Sequence, residues 1–378
     1  MIEVCHEGCR QAATAWLARY RGQKPTFACV LSFTETGLLP GISAAGQTPE
    51  DRRRTAAADG DFLQEALLQR ASHNASTTLP RLPAGVSPAV IARAILQSLA
   101  IPCHLFSTGL PIALSTPHIA LPQVKAQSLE TGSAMSVPQA NQLFEAGLQW
   151  GHKLANPGSY LIIGECVVGG TTTAQAVLTA LGYNAAGRMS SSHLSGNHRQ
   201  KRQLVEAGLA AWNRKAWNQK AWNPHNTENS TERSPIEIVA AVGDPMQLVV
   251  AGMAIAASQT GGVLLAGGSQ MLAVYALSKA LGRQQEWNCQ QVVVGTTRWV
   301  IEDSSADTVA IAAQVGAPYL ASQLSFRQSA YMQLRAYERG FVKEGIGAGG
   351  CAIAAHLHAG WNNDQLRHAV EKIAKLAY

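Results

Sequence analysis

Two glutamates set among glycines are the residues of this chain best placed to do chemistry. The first, Glu165, stands in Gly164-Glu165-Cys166-Val167-Val168-Gly169-Gly170-Thr171-Thr172-Thr173. An apolar run, Tyr160 to Ile163, precedes it, and a helical pattern from Thr171 to Leu181 follows and stops at Gly182. The segment reads as strand, turn and helix start, where the first N–H groups are unpaired and the helix dipole is positive. Glycines let backbone approach a ligand and threonine hydroxyls add donors, so Gly164, Gly169, Gly170, Thr171 and Thr172 predict a phosphate site. No Lys follows the glycines, which separates this turn from a Walker A loop. An ordinary strand–helix turn is the plain alternative, and the carboxylate beside it favours function.

The second, Glu344, stands in Val342-Lys343-Glu344-Gly345-Ile346-Gly347-Ala348-Gly349-Gly350. Gly345, Gly347 and Gly350 spell a dinucleotide fingerprint, and Asp364 lies near the place of its ribose acid. Only Phe341, Val342 and Lys343 separate Gly340 from Glu344, too few for the strand that motif requires. The segment instead predicts a carboxylate on a ledge lined by Gly345 and Gly347 at a helix start, with a helix-capping acid as the plain alternative. Between the two glutamates, turns at Gly243, at Gly267-Gly268 and at Ser322 each adjoin an apolar run. In an open parallel sheet such turns gather at the carboxyl edge, where ligands bind.

The elements that must position these residues alternate regularly from Pro138 onward. Strands are predicted at 160–163, 262–266, 291–294 and 318–320. Helices are predicted from Pro138, over 171–181, 245–258, 270–281, 306–315, 329–339 and 349–358, and over 364–376. Apolar strands alternating with helices mean an α/β fold: an open, mostly parallel sheet with helices on both faces, a Rossmann-like three-layer arrangement. Residues 1–137 are less regular, with helices at 7–21 and 87–99 and a strand at 27–33. They read as an N-terminal part whose strands and loops join the sheet and whose helices form a smaller lobe. Residues 138–378 form the main α/β domain.

Composition bounds the function. The chain has 378 residues, 47% of them hydrophobic and 14% charged, with a formal charge of +6. The basic residues are scattered, which suits small anionic substrates and argues against nucleic acid. The run Asp51-Arg52-Arg53-Arg54 reads as a solvated helix start. Seven cysteines without a C-x-x-C pair imply a reducing, cytoplasmic setting and no metal centre, although Cys5 and Cys9 flank His6 and Glu7. No signal-peptide pattern opens the chain, and the apolar window Leu248–Gly267 breaks at Ser258-Gln259-Thr260-Gly261-Gly262, which favours a buried helix and strand over a membrane span. Trp212, Trp217 and Trp222 recur every five residues before a polar tract, Asn226 to Ser234. That period predicts a surface loop insertion at about 211–234, with base stacking as the less favoured reading.

At these residues the chain resembles the nicotinate-nucleotide:dimethylbenzimidazole phosphoribosyltransferases. The family's Gly-Glu-Met-Gly-Ile-Gly-Asn-Thr-Thr resembles Gly164 to Thr172, matching at Glu165, Gly169, Thr171 and Thr172 and departing at Cys166, Val167, Val168 and Gly170. Its Gly-rich helix start resembles Gly243 to Gly252, and its Leu-Leu-Asp-Gly-Phe resembles Leu264 to Gly268 with Ala266 in place of the Asp. Its Leu-Gly-Glu-Gly resembles Val342 to Ala348, which puts the family's general base on Glu344. Its phosphate lysine falls on Lys201. The resemblance covers roughly Pro138 to His358 and marks a diverged branch; it implies that residues 138–378 are the main phosphoribosyl-binding domain and that residues 1–137 supply a different base-binding end. It implies transfer of ribose phosphate from nicotinate mononucleotide to a nitrogen base such as 5,6-dimethylbenzimidazole. The setting it implies is the lower-ligand step of cobalamin biosynthesis, by a homodimer with no cofactor. Glu165 would hold ribose hydroxyls or steady a developing cation. A ribosyl hydrolase, a dinucleotide oxidoreductase and a non-catalytic nucleotide- or base-binding protein are the alternatives, the last kept open by Ala266.

Overall fold

The computed structural model describes residues 2–67, 79, 82, 84–194, 196–222 and 233–375. Its eight strands are β1 (Ile2–Val4), β2 (Thr26–Ser32), β3 (Cys103–Thr108), β4 (Ile119–Ala120), β5 (Tyr160–Val167), β6 (Gly262–Ala266), β7 (Val292–Thr297) and β8 (Tyr319–Ser322). They form one sheet in the order β1-β8-β7-β6-β5-β2-β3-β4, parallel throughout except where β1 runs antiparallel to β8. The inner strands are continuous apolar runs because both faces are covered.

The α-helices are α1 (Arg10–Tyr20), α2 (Pro49–Leu67), α3 (Ala89–Ser98), α4 (Val137–Leu154), α5 (Gly170–Ala180), α6 (His198–Trp222) and α7 (Pro235–Val242). They continue with α8 (Pro245–Ser258), α9 (Ser269–Leu281), α10 (Arg298–Ile301), α11 (Thr308–Val315), α12 (Met332–Arg335), α13 (Ala348–Ala359) and α14 (Asn363–Ala374). Alternate strand residues divide the core in two. Ile163, Leu265 and Val294 face the side carrying α4, α5, α7, α8 and α9. Ile162, Leu264 and Val293 face the side carrying α1, α3, α13 and α14.

Local chemistry sets several boundaries. Ser136 accepts from Gln139 N and Gln139 reaches back to Ser136 N, a capping box that starts α4 with Pro138 inside its first turn. The expected helix and strand at 245–258 and 262–266 match residue for residue. Gly147 and Gly252 bring α4 and α8 close, since a Cβ on either would lie about 2.3 to 2.5 Å from a backbone oxygen of the other helix.

Three expectations are corrected. The first part of the tryptophan repeat is helical rather than a loop, because α6 runs through Trp222. Ala, Lys, Gln and Arg favour helix strongly enough to carry it. Residues 223–232 lie outside the described ones. The helix expected over 329–339 shrinks to α12 and a short 3₁₀ turn, Tyr337–Arg339. Arg52, expected in solvent, is 6% exposed and donates to Leu38 O.

Candidate functional site

The chain leaves β2 toward α2 and α3 on one face and leaves β5 toward α5 on the other, and β2 and β5 are neighbours. That is a topological switch point, where opposed crossovers part and open a crevice at the carboxyl edge. A cavity of about 1110 Å³, counted out to its open mouth, lies there. Segments from several elements line it: Ser43–Ala45 after β2, Asp59 of α2, Glu165–Gly169 at the end of β5, Ser190–Ser192, Gly268–Gln270 at the start of α9, and Phe341–Ile346.

Both expected glutamates are on this wall. Glu165 lies two residues before the end of β5, is 3% exposed, and accepts from Val167 N at 3.2 Å. Burial, then the carboxylates of Asp244 and Glu344, lift its pKa to about 8. Its backbone oxygen accepts from Ile346 N at 3.0 Å, which ties the ledge to β5. Glu344 is more heavily bonded. Oε2 accepts from Thr296 Oγ1 at 3.0 Å and Thr297 N at 2.9 Å, and Oε1 accepts from Gly345 N and Gly349 N, both at 3.1 Å. Burial raises it to about 6 against the pull of those four donors. The carboxylate therefore caps α13 and joins its start to the end of β7, so the helix-capping reading describes a real part of its role.

The ledge is strained. Val342, Lys343 and Ile346 have φ of 67°, 70° and 53°, in the left-handed region that β-branched residues avoid. Lys343 offsets this by donating to Ser191 O, His193 O and Asp303 Oδ2, the last a buried ion pair at 2.8 Å. As expected, residues 341–343 form no strand. Gly349 is required by close approach, since a Cβ there would stand 2.2 Å from the Thr296 carbonyl carbon. Ala266 is explained in the same way: a Cβ on Gly350 would lie 2.3 Å from the Ala266 Cβ, and one on Gly347 would lie 3.2 Å from it.

The two glycine turns converge as helix starts. Gly169, with φ of 87°, precedes α5, and Gly268 precedes α9. Gly169, Thr171, Gly268 and Gly345 line the cavity. Gly170 packs against Gln270, and Gly267 lies near the Glu165 carboxylate. Thr172 is fully buried. The remaining expected positions are not on the cavity wall: Gly164 and Gly347 pack against each other and Phe27, Gly243 ends α7 just before α8, Ser322 accepts from Leu324 N near the sheet edge, and Lys201 lies in the interior. Lys201 is wholly buried, with no hydrogen-bond partner for Nζ among the described residues, and burial followed by the Lys343 charge lowers its pKa to about 7.

Sequence reasoning missed Asp59, and did not single out Asp244, Lys343 and Asp303. Asp244, fully buried, accepts from Thr173 Oγ1 at 2.5 Å and has its pKa raised to about 6 by burial. Its Gly-Asp-Pro context signals a helix start and nothing more. No cluster of three or more metal-ligating side chains occurs among the described residues, and no helix among them is long and apolar enough to cross a membrane.

Residues 121–291 match the family model described as Phosphoribosyltransferase. A UPF0284 protein of Cyanothece sp. (strain PCC 7425) is 50% identical over 366 residues, covering 96% of this chain and 95% of that one. A second UPF0284 protein, of Gloeothece citriformis, is 50% identical over 366 residues, covering 96% and 94%. Among solved structures, the nicotinate-nucleotide-dimethylbenzimidazole phosphoribosyltransferase of Thermus thermophilus shares the fold, with a TM-score of 0.58, 14% identity and coverage of 98% and 92%. The shared fold takes in residues 1–137, beyond the stretch where sequence motifs can be matched.

Proposed function

The chain belongs to the UPF0284 family and is related to phosphoribosyltransferases, and we propose that it moves the phosphoribosyl group of nicotinate mononucleotide to a nitrogen base. The observation that carries this reading is the meeting of Glu165, Glu344 and two helix N-termini in one cavity. The helix starts at Gly169–Thr171 and Gly268–Gln270 suit the 5′-phosphate, and Lys201, buried off the cavity wall but within electrostatic range of Lys343 on it, would add a cation when a phosphate restores its proton. At neutral pH Glu165 keeps its proton, so it donates a hydrogen bond to the ribose rather than countering a cation.

The base nitrogen attacks the anomeric carbon as the bond to the nicotinate ring nitrogen breaks, and that bond's electron pair leaves with nicotinate. The transition state resembles an oxocarbenium ion, so the ionised Glu344 stabilises it. The acceptor's N–H proton passes to Glu344. Of that residue's four donors, only the Thr296 hydroxyl can rotate away to free a lone pair. Holding both reactants in register supplies much of the rate. The same reading makes the protein a cytoplasmic homodimer acting in the lower-ligand step of cobalamin biosynthesis. Incubating it with nicotinate mononucleotide and candidate bases tests the proposal: equal release of nicotinate and α-ribotide is expected. Nicotinate with free ribose phosphate would mean a hydrolase, and no turnover would leave a binding protein.

A further inference from the structure

Asp59 has no part in the chemistry above. It lies on α2, is 3% exposed, and lines the cavity. Ser87 Oγ donates to its Oδ1 at 2.6 Å, and the Cys166 thiol is 3.7 Å from Oδ2. No Lys or Arg forms an ion pair with it among the described residues. An ionised carboxylate has about four acceptor sites, so the two neutral donors found among the described residues, one of them a weak thiol, leave acceptor capacity unused. Leu82, Ala84 and Pro88 line the cavity as well, and they offer apolar contact rather than donors.

Its place in the sheet adds a length. Asp59 is anchored beside β5 through Cys166, whereas Glu344 is anchored on β7 through Thr296 and Thr297, with β6 between them. Two strand spacings put these anchor points about 10 Å apart. The two carboxylates therefore stand over different strands of the one cavity, so a flat ring held by Glu344 can present its other edge toward Asp59.

Resting on the phosphoribosyl-transfer reading, we propose that Asp59 selects the acceptor by taking a hydrogen bond from an amino or N–H group on the ring edge remote from the attacking nitrogen. An acceptor that presents only methyl groups there leaves a buried oxygen unpaired, and sites built to hydrogen-bond a substrate reject analogues that lack the donor. Burial lifts Asp59 to about 7, and an incoming N–H favours its ionised form.

The test compares adenine with 5,6-dimethylbenzimidazole as acceptors for the full chain, with nicotinate mononucleotide as donor, reading kcat/KM from ribotide formed. Wild type is expected to favour the amino-bearing acceptor by about 10²-fold or more. Asp59→Ala abolishes the preference, and the near-isosteric Asp59→Asn shrinks it about tenfold, since a neutral acceptor bonds less strongly than a charged one. The KM for the donor is expected to stay within about twofold in both, a split that a loss of packing between α2 and α3 would not produce. If Asp59→Ala does not fold, Asp59→Asn decides. Ribotide made with the same acceptor ratio in wild type and variant, or a wild type that favours dimethylbenzimidazole, overturns the role of Asp59 alone. Absence of ribotide with every acceptor overturns the transfer reading and this inference with it.

Discussion

Glu165 and Glu344 share one cavity and one residue type, yet the fold treats them oppositely. Glu165 lies on a strand whose N–H groups serve the ladder to β2, so it receives one backbone donor, from Val167. Glu344 lies where β7 ends and α13 begins, and both termini have spare donors; three backbone N–H groups and a hydroxyl point at it. The first is pushed up to about 8 and the second only to about 6. The carboxylates of Asp244 and Glu344 also press on the first, so the supply of donors and the neighbouring charges, as much as depth, set the charge of a buried carboxylate.

Replacing Glu344 is expected to have the largest effect. In Glu344→Gln an amide NH₂ must face N–H donors, so stability falls by about 1 to 3 kcal/mol. Transfer slows by about 10²- to 10⁴-fold, or roughly 3 to 5 kcal/mol of barrier. Melting temperature and single-turnover rate, measured together, check both, and a variant with wild-type turnover would reduce Glu344 to a helix cap.

Lys201 tests the phosphate side of the cavity. In Lys201→Met the buried amine, unpartnered among the described residues, is gone, so the unliganded protein keeps or gains stability at neutral pH. Affinity for nicotinate mononucleotide falls by about 10- to 100-fold, while nicotinate riboside binds as before. Calorimetry with both ligands decides, and equal losses would place the phosphate away from Lys201.

Glu165→Gln isolates the less-bonded carboxylate. Between its ordinary value of 4.5 and about 8, Glu165 is protonated in the folded chain and ionised in the unfolded one. The unfolded state then binds fewer protons, so this group's contribution to stability is lost as pH rises through that window. The variant should show a shallower fall in urea-derived stability from pH 5 to 8. A wild-type-minus-variant difference that is flat with pH would show that Glu165 ionises normally.

The smallest effect lies away from both acids. Trp212 packs against the core beside α5 and α7, with the Arg233 guanidinium 3.8 Å over its ring. Trp212→Ala is expected to cost about 1 to 2 kcal/mol with transfer unchanged. A large loss of transfer would tie α6 to the cavity.

The sequence by itself determined the periodic parts of this protein. Helix α8 and strand β6 were legible to the residue because Pro245, the Gly261-Gly262 pair and uninterrupted apolar runs report local propensity and burial directly. Glu165, Gly169 and Glu344 were legible because a glycine turn with an acid leaves a local signature. Tertiary structure alone decided the rest. Asp59 stands 107 residues from Cys166 yet meets it, because β2 and β5 became neighbours at the switch point. Lys343 pairs with Asp303 across 40 residues and holds a strained ledge that no local preference would adopt. Gly164 and Ser322, plausible in sequence, were taken away from the cavity by strand direction and register. Local pattern fixes which residues can form an element and which can bind. Only the packing of remote elements fixes which buried groups lack partners, and those unpaired groups are where a ligand gains its energy.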